Sequence, residues 1–110
     1  MYARIARFEG LDANRIDERA EAMTQQVEAA RSGTLPEGAP EGMTTLVETV
    51  KRVVELVDRE NGTALAIVFC ETDEDRRRAD AALNAMSPGE GEGRRTAVEM
   101  YEVTIDESFA

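Results

Sequence analysis

The stretch Thr63-Ala-Leu-Ala-Ile-Val-Phe-Cys70 constrains the fold more than any other part of the chain. Read as a strand it is apolar on both faces, with Leu65, Ile67 and Phe69 on one side and Ala64, Ala66 and Val68 on the other, so neither side suits water. Asp58-Arg-Glu-Asn-Gly62 precedes it, and Asn61-Gly62 is a hairpin signal. An antiparallel neighbour is therefore expected just upstream. Met43, Leu46, Val47, Val50, Val53, Val54 and Val57 also fit a helical stripe. The β-branching of the later positions and the need for a hairpin partner favour a strand over 49–58. Residues 43–48 remain either a separate turn of helix or an extended lead-in.

The other elements follow from local signals. Residues 2–9, ended by Gly10, read as a first strand. Asp12 is a plausible N-cap for a helix over about 13–31, whose apolar face is Ile16, Ala20, Met23, Val27 and Ala30, with Ser32-Gly33 as its stop. Residues 34–42 carry two prolines and two glycines and read as a loop. Thr72 and Asp75 have capping-box spacing, and Asp73, Glu74 and Asp75 suit the N-terminal end of a helix dipole. That predicts a helix over 73–86, with Ala79, Ala82, Leu83 and Met86 inward and Arg76, Arg77, Arg78 and Asp80 in water. After the glycine-rich loop 88–93, alternation over 95–106 predicts a last strand.

Strand, helix, strand, strand, helix, strand is an α+β order. It predicts a single ferredoxin-like domain over 1–110, with an antiparallel sheet and both helices on one face. The opposite face of the third strand would then be bare, and the commonest cover for such a face is a second copy of the chain. A homodimer through the sheet face is expected. With 13 Lys and Arg against 23 Asp and Glu, the net charge of −10 repels phosphate backbones and anionic lipid. Nucleic acid and membranes are not expected partners. No run approaches the roughly 20 apolar residues of a membrane span, and the single cysteine, Cys70, cannot form an internal disulfide. A cytoplasmic location is the expectation.

The run Val57 to Asp75, the strand Tyr2–Glu9 and the segment Met100-Tyr-Glu-Val103 together resemble the dimeric α/β barrel superfamily. More narrowly they are similar to its antibiotic-biosynthesis-monooxygenase-like branch. The resemblance spans the chain apart from residues 32–48. It implies two sheets closed into a barrel across a dimer, with a pocket between sheet and helices. Enzymes of that branch oxidise phenolic or quinol-type aromatic compounds with molecular oxygen, using neither metal nor flavin, so no cofactor is implied. Their sites draw on His, Trp, Asn and Tyr, and this chain has neither His nor Trp. Cys70 stands where many relatives have Trp. A His base or a His haem ligand is therefore impossible. Two readings stay open: a cofactor-independent monooxygenase of aromatic compounds, and a non-catalytic binding or stress-associated protein.

The candidate ligand-binding residues are Arg4, Phe8, Cys70 and Tyr101. Cys70 has thiol chemistry but no His beside it and acidic surroundings, which makes apolar filler the plainer role. Tyr101 could hydrogen-bond a phenol or simply pack. Arg4 and Arg7 fall on opposite faces of the first strand, so one of them points into buried space. There it would pair with a carboxylate, for which Glu99, Glu102 and Glu55 are candidates, or clamp an anionic substrate. Gly89 to Gly93 resembles a phosphate loop in composition alone. Asp73 to Asp75 are accounted for by capping without a metal, and Arg76 to Arg78 by a solvated helix face.

Overall fold

The computed structural model of the chain describes residues 1–35, 37, 41–86 and 93–110. The elements run β1 (Tyr2–Glu9), a 3-10 turn (Ala13–Arg15), α1 (Ile16–Ser32) and α2 (Glu41–Thr49). They continue with β2 (Val50–Asp58), β3 (Thr63–Cys70), α3 (Asp73–Ala85) and β4 (Arg94–Glu102). All four strands join one antiparallel sheet in the order β2-β3-β1-β4. This α+β arrangement is compatible with the expected ferredoxin-like order, with α2 as an added helix. The glycine-rich loop expected at 88–93 lies outside the described residues up to Gly93, as does most of the loop expected at 34–42.

Residues 43–48 are helical, as part of α2, and the chain turns into strand at Val50. Thr49 closes the helix by donating its hydroxyl to the Thr45 carbonyl at 2.7 Å, and it is fully buried. The helical stripe of the sequence is thus shared by two elements. Its first half, through Leu46, packs with Val50 and Leu83 on the cluster of Val68, Cys70 and Ala79.

The hairpin between β2 and β3 forms where Asn61-Gly62 signals it, by a different turn. Asp58 pairs with Thr63, so four residues connect the strands. Only Gly62 has positive φ, at 65°, whereas a two-residue Asn-Gly turn of type I′ needs it at both positions. Asp58 shapes the longer turn by accepting from the Asn61 backbone at 3.1 Å and the Asn61 side chain at 2.7 Å.

β4 ends at Glu102, short of the 106 expected. Its neighbour β1 begins at Tyr2, so the ladder runs out of partners. A last backbone bond, Val103 N–H to the Met1 carbonyl at 2.8 Å, marks the end. Beyond it the chain has no regular secondary structure, and Ile105 and Phe109 are exposed.

Side-chain alternation sorts the sheet into two faces. On the helix side lie Ala6, Phe8, Ala64, Val68 and Cys70. Phe8 and Val57 pack against Leu11, Ile16 and Ala64 at one end, while the cluster around Cys70 fills the other. On the far side are Ile5, Leu65, Ile67, Phe69, Val54 and Leu56. No described helix packs over them.

Candidate functional site

Arg4 is the buried arginine that the first strand's alternation requires. It sits on the helix side, 3% exposed, with Nε donating to Asp80 at 2.8 Å and an Nη donating to Asn84 at 2.8 Å. Its partner is therefore Asp80 of α3, none of the three strand glutamates. Glu55 is engaged by Arg19 of α1, one bond measuring 2.9 Å. Glu99 points to the far face, where it accepts from the Tyr101 hydroxyl. Asp80, expected on the wet side of its helix, instead turns toward the sheet. The Arg76–Arg78 run is likewise only partly solvated. The Arg76 guanidinium lies 5.2 Å from the centre of the Tyr2 ring and is paired with Asp73, whereas Arg77 and Arg78 lie outward.

Cys70 shares the helix side with Arg4 and is buried completely. Burial first, then the nearby Asp75 carboxylate, pushes its thiol above the ordinary value, so the nucleophilic thiolate is disfavoured. Phe8 is on the same face but at the far end of β1, inside the cluster with Leu11 and Ile16. Tyr101 is paired across β4 with Ala3, which places it on the opposite face. It is 49% exposed. Its hydroxyl is held above the usual phenol value by the bond to Glu99 and then by that carboxylate's charge. The four candidates thus fall in three places: Arg4 and Cys70 toward one end of the helix side, Phe8 at its other end, and Tyr101 across the sheet.

The far face brings together residues that the sequence did not single out. Arg52, at the β2 edge, places its guanidinium 5.8 Å from the Phe69 ring centre and has no ion pair among the described residues. Toward the β2–β3 hairpin, a groove of about 570 Å3 is lined by Arg7, Glu9, Leu56, Asn61 and Leu65 among others. Arg7 is exposed there. The groove floor is aliphatic, and its charged lining is one guanidinium, Arg7, with two carboxylates, Glu9 and Asp58, the second of which already holds the Asn61 amide.

No protein-family model and no curated protein matches this chain.

Its chemistry is accordingly read from its own residues. Among the described residues no group of three or more Cys, Asp and Glu side chains could hold a metal ion. Asp73 is bonded to Arg76 and Arg77, and the Thr72 hydroxyl accepts from the Asp75 backbone at 3.1 Å. No described helix is long and apolar enough to cross a membrane. Asp80 and Asn84 were the site residues missed from the sequence. Their spacing of four stacks both on one side of α3, beside the Ala79–Leu83 stripe, which was the available signal.

Proposed function

We propose that this chain acts as a homodimer in which two sheets face each other as a barrel, and that it binds a small aromatic ligand without turning it over. The far sheet face carries this reading. Four strands about 4.8 Å apart and about eight residues long make a face of roughly 500 Å2 in projection. Between its charged and polar edge residues the face presents Val54, Leu56, Leu65, Ile67, Phe69 and Ile5 side by side, an apolar strip with a polar rim of the kind that marks interaction sites. The total accessible surface, 7538 Å2, also exceeds the roughly 6,000 Å2 normal for a folded monomer of this mass. The exposed C-terminal residues 104–110 account for some of that excess.

Binding is favoured over oxygenation by the state of the candidate groups. A cofactor-independent oxygenase needs a base to take the phenolic proton of its substrate. On the helix side, Arg4 is engaged by Asp80 and Asn84, and Cys70 is buried as a thiol. The groove beside Arg7 offers recognition: Leu56 and Leu65 for a ring and Arg7 for its oxygen. One observation favours the second reading, a cofactor-independent monooxygenase of quinol-type compounds. Glu99 sits beside the Tyr101 phenol, where a carboxylate could receive a proton.

Titration calorimetry with 4-hydroxybenzoate tests the binding reading. Saturable heat is expected for the protein and none for Arg7→Ala, and no heat for the unmodified protein would overturn it. Oxygen uptake with hydroquinone or anthrone separates the two readings. The expected rate equals the blank, whereas consumption abolished by Glu99→Gln would establish the oxygenase.

A further inference from the structure

The far face is asymmetric in a way that selects how two copies meet. Its cross-strand register forms rows, the first being Arg52, Phe69, Ala3 and Tyr101. The next two are Val54, Ile67, Ile5 and Glu99, then Leu56, Leu65, Arg7 and Ala97. Of the two outer strands, β2 carries a positive charge, Arg52, and β4 a negative one, Glu99, while Arg7 adds a positive charge on β1. Resting on the homodimer reading, we propose that a two-fold axis along the strands sets β2 of each protomer over β4 of its partner.

Such an axis reverses every row onto itself. Phe69, the largest side chain of its row, then meets the partner's Ala3, Val54 meets the partner's Glu99, and Leu56 and Leu65 lie under the partner's Ala97 and the partner's Arg7, so that the partner's β4 and β1 roof the groove beside Arg7. Ile67 meets the partner's Ile5, which makes the centre aliphatic on both sides. Arg52, without an ion pair of its own among the described residues, reaches the partner's Tyr101 and, one row away, the partner's Glu99. Twice in the barrel, a cation at one sheet's edge closes over a phenol and a carboxylate at the other's. The twist of each sheet rotates the two by about 30°, which shifts rows without exchanging edges.

The rival two-fold runs across the strands and sets each strand over its own copy. It places the β4 edge carrying Glu99 over itself and brings the Phe69 row over the Leu65 row, large against large. Like charges that face each other at close range cost stability and disfavour that pairing. Charge at the two outer strands therefore selects the axis along the strands.

Arg52→Cys and Glu99→Cys, made singly and together, test the arrangement, since both side chains are exposed. Positions 52 and 99 are on the two outermost strands and one row apart, roughly 16 Å within one chain, whereas across two sheets packed about 10 Å apart they lie roughly 12 Å from each other. A short bismaleimide therefore links them only between protomers. Buried Cys70 gives no background, which the unmodified protein checks. A covalent dimer is expected from the double variant and from neither single one. A covalent dimer from Glu99→Cys alone would overturn the arrangement in favour of β4 over β4. No covalent dimer from the double variant, with light scattering still reporting a dimer, would overturn it and leave the homodimer reading intact. A monomer by light scattering before any linker is added removes the homodimer reading, and this one with it.

Discussion

With the Arg4 guanidinium nearly sealed from water at 3% exposed and the Asp80 carboxylate still 25% open, the two ends of their ion pair respond differently to removal. Asp80→Ala leaves a buried cation with only the Asn84 oxygen, a loss on the order of 3 kcal/mol. Arg4→Met fills the same space with apolar atoms and leaves a carboxylate that can draw water, costing about 1 kcal/mol. Urea unfolding followed by circular dichroism compares them, and equal losses would mean that burial does not set the cost. That an arginine of β1 would be buried was readable from alternation alone. Its partner was not, because alternation places strand acids but says nothing about which helix residue leans over them. Glu55, one of the candidate partners, does face the helices, yet Arg19 claims it. Tyr101 shows the same gap, since which face of β4 meets the helices depends on its pairing with Ala3, 98 residues away at the other end of the chain.

At the scale of elements, the legible parts were those governed by local chemistry. The Thr72 cap of α3, the double-faced β3 and the β2–β3 hairpin all lie where short-range signals put them. The change from helix to strand between Thr49 and Val50 was only half legible, because valine at three- and four-residue spacing satisfies both periods. Packing decides it: Leu46 and Val50 enter the same cluster from different elements. The end of β4 was hidden for a related reason, since alternation continues past the point where β1 stops. The start of β4 yields a sharper prediction. Gly10 and Gly93 share a φ of 74°, but a Cβ at Gly93 would lie 2.2 Å from the Glu9 carbonyl oxygen, whereas at Gly10 nothing lies within 4 Å. Gly10→Ala should cost about 1 kcal/mol, the left-handed penalty alone. Gly93→Ala should cost at least about twice that, because the β1–β4 junction must open. Thermal unfolding of the two variants compares them, and equal midpoints would show that the close approach is absent.

At the scale of the whole molecule, one relation organises the rest: three helices on one side of a sheet whose other side is also apolar. The doubly apolar Thr63–Cys70 run announces this without any tertiary information, and the placement of α1, α2 and α3 on a single side leaves Leu56, 51% exposed, and Tyr101 facing outward. What covers them depends on a second surface, which no pattern within one chain specifies. Light scattering coupled to gel filtration at micromolar concentration tests the central claim most directly, on the unmodified protein and on Ile67→Asp, which puts a charge at the centre of the far face. The unmodified protein should weigh twice the 12.1 kDa chain, and Ile67→Asp should weigh one chain with its circular dichroism retained. A single-chain mass for the unmodified protein, or a dimer that survives Ile67→Asp, would contradict the claim.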